Sequence, residues 1–325
     1  MSDNEGKLQK LHSNLRLIRR ILAIVLVVLV VCSAVLLFLF RDELNMDALR
    51  RWVKYLNIRG DESFGTYTFD AHNSNRYANF DGGLAVASVG GISTYQEDGR
   101  QVAVSQSQLS LPEIQIGREL VLAYDVGGTS LLAVHSSGSE VLRVTSEKPI
   151  LDADISGGDD ICYVSSAAGY KSVLTVYNEK QEKIYRWLSS STYMPLCAVS
   201  DNGTDLAAVG LDQKSGSFVS TLNLFRTTEE QICATVSLGN ELIYDLMYLG
   251  EDMVCAIGEL SVQYYSAAGE PMAAYRYDGQ YLKDYDCGGD GFLTLSLNMY
   301  RAGNRYTLVT LDEAGEELGS VRFTE

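Results

Sequence analysis

Clusters of acidic side chains are the residues of this chain best suited to chemistry. They follow Gly- and Asp-rich turns, and carboxylate and amide oxygens at such density are the ligands that Ca²⁺ prefers. No cluster has the spacing of an EF-hand loop, and Asp, Asn and Gly are also the residues that tight turns require. A calcium site is therefore one interpretation, and turn chemistry is the other. The candidate ligands are Asp152, Asp154, Asp159, Asp201, Asp205, Asp284, Asp286 and Asp290.

The same carboxylates allow a second chemistry, the cleavage of glycans. A glycosidase needs two carboxyl groups about 5–10 Å apart, a separation that spacing along the chain does not fix. Other catalytic sets are missing, because the only histidines are His12, His72 and His135 and there is no G-x-S-x-G, P-loop or G-x-G-x-x-G. His135 lies in a predicted hairpin turn, which favours a solvated side chain over a general base. The sequence predicts no catalytic residue and no cofactor.

The cysteines indicate buried thiols and not a metal or redox site. Cys32 lies in an apolar run near the N-terminus, and the other five lie in or beside predicted strands without forming any C-x-x-C pair. We expect them to be small apolar side chains in strand cores. These five are Cys162, Cys197, Cys233, Cys255 and Cys287.

The charge and the aromatic content of the chain limit the classes of partner that it can bind. Residues 61–325 contain 16 Lys and Arg against 37 Asp and Glu, a formal charge of −21. Phosphate contacts need clustered Lys and Arg, so nucleic acid is excluded as a partner. A late group of tyrosines either forms an aromatic patch for glycan or peptide, or fills strand cores. Its members are Tyr244, Tyr248, Tyr264, Tyr265, Tyr275, Tyr277, Tyr281 and Tyr285.

A polar hairpin that recurs about every 43 residues organises the region after residue 60. Each copy has an apolar or aromatic residue, a six-residue polar turn, and another apolar residue. Four copies place a glycine (Gly99, Gly138, Gly269, Gly315) at the same position, where it supplies the positive φ that a tight hairpin needs. The copies begin at Tyr95, Val134, Tyr177, Phe225, Tyr265 and Leu311.

A second Gly/Asp turn precedes each hairpin, so one unit contains four short antiparallel strands. Four strands every 40–45 residues is the pattern of a β-propeller blade. We therefore predict an all-β propeller of six four-stranded blades; a seventh, divergent blade and a β-sandwich are the alternatives. The leftover strand at residues 63–70 is expected to close the ring, with residues 66–69 beside the last blade. The predicted blades are residues 77–108, 112–147, 149–190, 194–238, 240–278 and 280–323.

An apolar run without a charge, bounded by Ile21 and Phe40, precedes this region. As a helix, residues 21–40 cross the ~30 Å hydrocarbon core of a bilayer. The run is longer than the core of a signal peptide and has no small-residue cleavage site. We predict a single-pass transmembrane helix. Three arginines in residues 16–20 favour a cytoplasmic N-terminus and an extracytoplasmic propeller, although the two flanks carry equal numbers of basic residues.

The remaining N-terminal segments are short. Residues 1–20 form a basic cytoplasmic tail, and residues 41–60 have the periodicity of an amphipathic helix that carries Trp52 on its apolar face. That helix lies either in the membrane interface, with Trp52 at headgroup level, or serves as a plain stalk. The propeller then comprises residues 61–325.

This layout resembles that of membrane-anchored propeller proteins of Gram-positive, Clostridia-type gut bacteria, a family of unknown function. The shared features are the basic tail, the single span, the stalk helix and the repeated blades. The blades are distantly similar to WD40-like and quinoprotein-like propellers, but Trp187 is followed by Leu188 where a WD40 blade has Trp-Asp, and the tryptophan docking motif of quinoprotein repeats is absent. The resemblance implies a fold and a placement in the membrane, and it transfers no functional residue.

Two hypotheses about function follow. The first is a membrane-anchored, extracytoplasmic binding or scaffold module for an envelope protein or glycan, because no nucleophile and base occur together. The alternative is a carbohydrate-active hydrolase or lyase with paired carboxylates in the propeller channel. Two buried carboxylates that face each other in the channel would favour the enzyme.

Overall fold

A computed structural model of the protein describes residues 66–69, 72–214, 216–289, 292–312 and 314–324. The predicted tail, the span from Ile21 to Phe40, the helix carrying Trp52, and Asp290 lie outside the described residues. Within those residues, no helix is long and apolar enough to cross a membrane. All strands belong to a compact unit of residues 63–325.

Twenty-four strands in the described part of the chain form six separate four-stranded sheets, and each sheet is an antiparallel meander. We name these sheets blades 1 to 6 in chain order. Blade 1 contains β1 (Arg76–Phe80), β2 (Gly83–Ser88), β3 (Gly91–Tyr95) and β4 (Gln101–Gln106). Blade 2 contains β5 (Pro112–Ile116), β6 (Leu120–Asp125), β7 (Ser130–His135) and β8 (Glu140–Thr145). Blade 3 contains β9 (Ile150–Ile155), β10 (Ile161–Ala167), β11 (Tyr170–Tyr177) and β12 (Lys183–Ser189).

The second half of the chain continues the same order. Blade 4 contains β13 (Tyr193–Val199), β14 (Asp205–Lys214), β15 (Ser217–Arg226) and β16 (Ala234–Gly239). Blade 5 contains β17 (Ile243–Leu249), β18 (Met253–Gly258), β19 (Ser261–Ser266) and β20 (Pro271–Arg276). Blade 6 contains β21 (Tyr281–Gly289), β22 (Phe292–Asn298), β23 (Arg305–Asp312) and β24 (Glu317–Thr324). The predicted all-β architecture and its six blades are confirmed.

Five apolar cores join the blades in chain order. The middle strands supply both faces, because successive side chains of a strand point to opposite sides. Val121 of β6 packs in the core between blades 1 and 2, and its neighbour Leu122 packs between blades 2 and 3. Leu174, Leu222 and Leu295 occupy the three cores that follow.

The hairpin between the third and fourth strands recurs with the same backbone geometry. In blade 1, the N–H of Gly99 donates to the carbonyl of Gln96, and the equivalent bond closes the corresponding hairpin in each of the other five blades. The repeated glycines have positive φ as predicted, for example 82° at Gly99 and 95° at Gly138. Gln181 takes the glycine position in blade 3 with a φ of 60°.

Residues 66–69 do not close the ring as predicted. They pair with no strand of blade 6; instead Tyr67 and Phe69 lie 5.9 and 6.3 Å from the ring of Tyr95 on blade 1. The hydroxyl of Tyr95 also donates to the carbonyl of Thr68 at 2.9 Å. The expectation was wrong because the alternating aromatic residues gain more by covering the free face of blade 1 than by extending blade 6.

The outward face of blade 6 is open to solvent. Register places Phe292, Leu308 and Val321 on the face opposite to the core residues Leu295 and Val309. These three side chains are exposed. Among the described residues, blades 6 and 1 share no core of the kind that joins the other neighbours.

Candidate functional site

The first strands of the blades lie side by side and line the channel of the propeller. β1 contacts β5, β5 contacts β9, β9 contacts β13, and β13 contacts β17. Within the described sheets each pairs only with the second strand of its own blade, so backbone N–H groups along its other edge need acceptors; at the start of β9 the carbonyl of Gly128 accepts from the N–H of Ile150. Four carboxylates on β5, β9 and β17 interact with a neighbouring blade: Glu113 on β5, Asp152 and Asp154 on β9, and Asp245 on β17. The first strand of blade 6, β21, carries two more, Asp284 and Asp286.

Asp152 joins three blades. Its Oδ1 accepts a hydrogen bond from the hydroxyl of Tyr124 in blade 2 at 2.8 Å, and its Oδ2 accepts from the backbone N–H of Cys197 in blade 4 at 2.8 Å. Two residues further along β9, Asp154 accepts from the N–H of Val199 at 3.0 Å. The two carboxylates thus satisfy donors on the open edge of β13.

The other two channel carboxylates also connect blades. Tyr285 of blade 6 lies beside Asp245 of blade 5, and its hydroxyl favours the ionised form of that carboxyl, which lowers its pKa against the larger effect of burial. Glu113 of blade 2 binds Arg76 of blade 1, whose Nε lies 3.0 Å from both carboxylate oxygens. The carboxylates therefore occur where the interfaces between blades reach the channel.

Burial sets the protonation of the β9 pair. It raises the pKa of Asp152 to about 7 and that of Asp154 to about 8, and the negative charge of Asp245 raises both further. The pKa of Asp245 is also raised, first by burial and then by the charge of Glu113. Carboxylates from blades 2, 3 and 5 therefore influence one another across a narrow channel.

Acidic residues in the turns between strands also accept hydrogen bonds from neighbouring blades, in addition to those in the channel. Asp159 of blade 3 accepts from the backbone N–H groups of Glu119 and Leu120 in blade 2, at 3.1 and 3.2 Å. Asp201 of blade 4 accepts from the N–H of Gly157 in blade 3 at 2.9 Å. The site of Asp159 requires Gly117, because a Cβ at that position would overlap the Asp159 carboxylate.

The predicted calcium ligands are not brought together. Asp205 pairs with Arg226 at 3.1 Å, and Asp284 accepts a hydrogen bond from the backbone of the next residue. Asp286 lies on β21, the first strand of blade 6. In the part of the chain that the structure covers, no group of three or more His, Cys, Asp or Glu side chains could hold a metal ion.

The two described histidines share a local turn motif. His135 Nδ1 accepts from the N–H of Ser137 at 2.9 Å, and His72 Nδ1 accepts from the N–H of Ser74 at 3.2 Å. His135 Nε2 also lies 2.9 Å from Glu119. Because the same His-x-Ser pairing occurs in an unrelated turn, we interpret it as turn stabilisation and not as a catalytic triad.

The cysteines and tyrosines mostly fill cores. Cys162, Cys197 and Cys255 are buried, and burial raises the pKa of each thiol, so they are poor nucleophiles. Cys233 and Cys287 are exposed. Of the late tyrosines, Tyr264, Tyr265 and Tyr277 are buried and Tyr244 and Tyr281 are exposed, so the group does not form one surface patch.

The sequence does not predict an open cleft that lies between blades 2 and 3. Its volume is about 310 Å³, and it lies against the outer half of blade 3. Its walls include Tyr163, Ser165, Thr175, Lys183 and Arg186. In the sequence, the hydroxyl residues at inward-facing positions of β10 and β11 are the signal for this cleft. The signal is not specific, because Ser and Thr alternate with apolar residues in any half-exposed strand.

Residues 56–325 match the sequence profile described as "Family of unknown function (DUF5711)". The chain belongs to this family. The DUF5711 match begins ten residues before the first described residue and covers all six blades. No curated protein matches the chain.

Solved structures share the fold of this DUF5711 chain at very low identity. The β-propeller domain of Cps50 (Swd1) from Myceliophteria thermophila is 9% identical, with a TM-score of 0.55 over 80% of this chain and 88% of that one. Hydrazine synthase from Kuenenia stuttgartiensis is 12% identical, with a TM-score of 0.51 over 71% of this chain and 73% of that one. These likenesses support the β-propeller fold alone.

Proposed function

We propose that this protein is a membrane-anchored binding module whose propeller presents a rigid surface to a protein or glycan of the cell envelope. The observation that carries the proposal is how the polar groups are distributed. The channel carboxylates are engaged in holding blades together, whereas polar groups without protein partners lie in an open cleft at the surface. Loops and strand edges on such a scaffold suit binding.

The direct test is binding by the full-length protein in detergent micelles. We expect saturable binding either to purified cell-wall glycan or to detergent-solubilised membrane proteins from the same cells. The Asp278→Gly variant is the control for any loss of binding that mutation and purification cause by themselves. It is suitable because, among the described residues, the turn that contains Asp278 makes no hydrogen bond to another blade. Absence of saturable binding to both fractions, together with release of reducing sugar from the glycan, would overturn the proposal.

The placement in the cell is part of the same proposal. The charge-free run of residues 21–40 supports a single span, and the arginines at 16, 19 and 20 support an N-terminus in the cytoplasm. We expect protease added to intact protoplasts to digest the propeller. Complete protection until the cells are lysed would place the propeller in the cytoplasm and remove envelope partners.

A hydrolase or lyase is the second candidate, and one observation favours it. The raised pKa values of Asp152 and Asp154, about 7 and about 8, suit a general acid. Against it, both oxygens of Asp152 accept hydrogen bonds from Tyr124 and Cys197, which is a structural arrangement. Sugar release by the parent that is lost in both Asp152→Asn and Asp154→Asn would support the enzyme.

A further inference from the structure

The cleft between blades 2 and 3 contains two hydroxyl groups that make no hydrogen bond within the described part of the chain. Ser165 of β10 is 6% exposed and Thr175 of β11 is 2% exposed. Both line the cleft. Both hydroxyl oxygens stay open to the cleft, because neither belongs to the fully buried side-chain oxygens that lack a partner among the described residues, so both are available to a ligand with complementary donors and acceptors.

Two cations lie next to these hydroxyls. In the strand register Arg186 lies opposite Thr175, and Lys183 lies opposite Tyr177, which places both on the cleft face of blade 3. Neither forms an ion pair with a described carboxylate. One acidic side chain, Glu147, lies on the opposite wall. On a chain of net charge −16, this pair forms a local positive region that favours a negatively charged group.

An aromatic surface completes the cleft. The rings of Tyr163 and Tyr177 are stacked, with centroids 6.4 Å apart and planes 17° apart. The ammonium of Lys183 lies 5.9 Å from the centroid of Tyr177, so the aromatic and cationic walls meet at that residue. Flat aromatic rings offer an apolar surface to the C–H face of a sugar ring, while hydroxyl groups bind its edge.

We propose that this cleft binds an acidic sugar, a pyranose ring that carries a carboxylate. Arg186 and Lys183 bind the carboxylate, Ser165 and Thr175 exchange hydrogen bonds with the sugar hydroxyls, and the partly exposed ring of Tyr177, backed by the buried Tyr163, packs against the sugar ring. A volume of about 310 Å³ is at the small end of ligand sites and accommodates one or two sugar residues. This inference rests on the proposed binding function and names its ligand class.

The test is isothermal titration of the full-length protein in detergent with an oligosaccharide of alternating glucuronic acid and N-acetylglucosamine. The comparison ligand is the same oligosaccharide with its carboxylates reduced to alcohols. We expect saturable binding of the acidic form and at least tenfold weaker binding of the reduced form. Equal binding of both forms, or no binding of the acidic form at millimolar concentration, would overturn the proposal.

Variants locate the site. Arg186→Gln and Thr175→Val are each expected to weaken binding at least tenfold, and Thr175→Ser, which keeps the hydroxyl, to bind within threefold of the parent. Lys180→Gln removes the same charge from the blade 3 hairpin outside the cleft and should bind like the parent. A Lys180→Gln loss as large as the Arg186→Gln loss would overturn the assignment by showing that only overall charge matters.

The outcome separates this inference from the broader function. If the acidic oligosaccharide does not bind but the full-length protein still binds an envelope fraction, the cleft assignment fails and the binding function stands. If neither binds, the proposed function itself fails.

Discussion

At the scale of single residues, the carboxylates of this protein act as acceptors for a neighbouring blade. Asp152, Asp154 and Asp159 each receive a backbone N–H from an adjacent sheet. A carboxyl group accepts well from backbone donors, and where the group is ionised such a hydrogen bond is worth about 1.5–3 kcal/mol. The raised pKa values of the two β9 groups leave Asp154 largely neutral and Asp152 only partly ionised near pH 7. The identity of these residues was predictable as acidic turn and strand positions. Their role was not, because a sequence does not say which blade's amides a side chain meets.

The contribution of one such residue can be isolated at Asp159. Its φ of 69° suits glycine, so Asp159→Gly removes the carboxylate without adding backbone strain. We expect a loss of about 1–2 kcal/mol, or a fall in melting temperature of about 3–6 °C, from the bonds to Glu119 and Leu120. Asp278→Gly is the control, because Asp278 also has positive φ but accepts no hydrogen bond among the described residues. Equal melting temperatures for the two variants would contradict the role of Asp159.

The β9 carboxylates predict how stability depends on pH. The pKa of Asp154 is about 8 in the folded protein and close to 4 in an unfolded chain, so between these values the folded state binds more protons. The contribution of Asp154 to the free energy of unfolding is therefore fully present below about pH 4, and it is lost as the pH rises towards 8. Asp154→Asn keeps an acceptor for the N–H of Val199 but removes the charge.

We expect Asp154→Asn to melt like the parent near pH 4 and on the order of 5 °C higher at pH 9. Thermal denaturation at intervals across that range is the measurement. Asp284→Asn, on the exposed part of β21, controls for the loss of one negative charge. If the parent and Asp154→Asn melt in parallel at all pH values, burial of Asp154 does not control its protonation.

At the scale of elements, the repeated hairpin explains why the blades were predictable. Gly99 and its counterparts occupy one position in a hairpin that recurs about every 43 residues, and the structure gives that position positive φ in every copy that has a glycine. Strand alternation then fixes which side chains enter the cores. The cleft was not predictable in this way, because its residues come from β8, β10, β11 and β12, and their meeting depends on how two blades pack.

The short segment of residues 66–69 shows the limit of reasoning from pattern alone. Its alternating residues predict a strand beside blade 6, but the side that carries Tyr67 and Phe69 packs on blade 1. We expect the double variant Tyr67→Ala/Phe69→Ala to lose about 2–3 kcal/mol in a thermal melt, because both rings pack on Tyr95. The matched variant Thr66→Ala/Thr68→Ala changes the exposed side of the same segment and should melt within 1–2 °C of the parent, by the usual tolerance of surface positions. A reversed order would mean that the threonine side is the buried one.

At the scale of the propeller, the blades form a series with two distinct ends. Blades 2 to 5 each bury both faces in apolar cores, whereas blade 1 carries residues 66–69 on its free face and blade 6 leaves its free face exposed. Periodicity predicts the number of blades, because each repeat is one sheet. Periodicity does not predict what covers the free faces of the first and last blades, since only those two blades lack a neighbouring repeat on one side.

The exposure of blade 6 can be tested by placing a charge on each of its faces. Val321 of β24 is 56% exposed on the outward face, and Val309 of β23 is 1% exposed in the core shared with blade 5. A lysine at an exposed position usually changes stability by no more than about 0.5 kcal/mol, whereas an unpaired buried charge costs several times that amount. We therefore expect Val321→Lys to melt within about 2 °C of the parent, and Val309→Lys to be largely unfolded, as measured by circular dichroism and thermal denaturation. The two variants make the same chemical change one strand apart, so any general effect of an added lysine cancels. If Val321→Lys is destabilised as strongly as Val309→Lys, the outward face of blade 6 is covered in solution and the series of blades closes on itself.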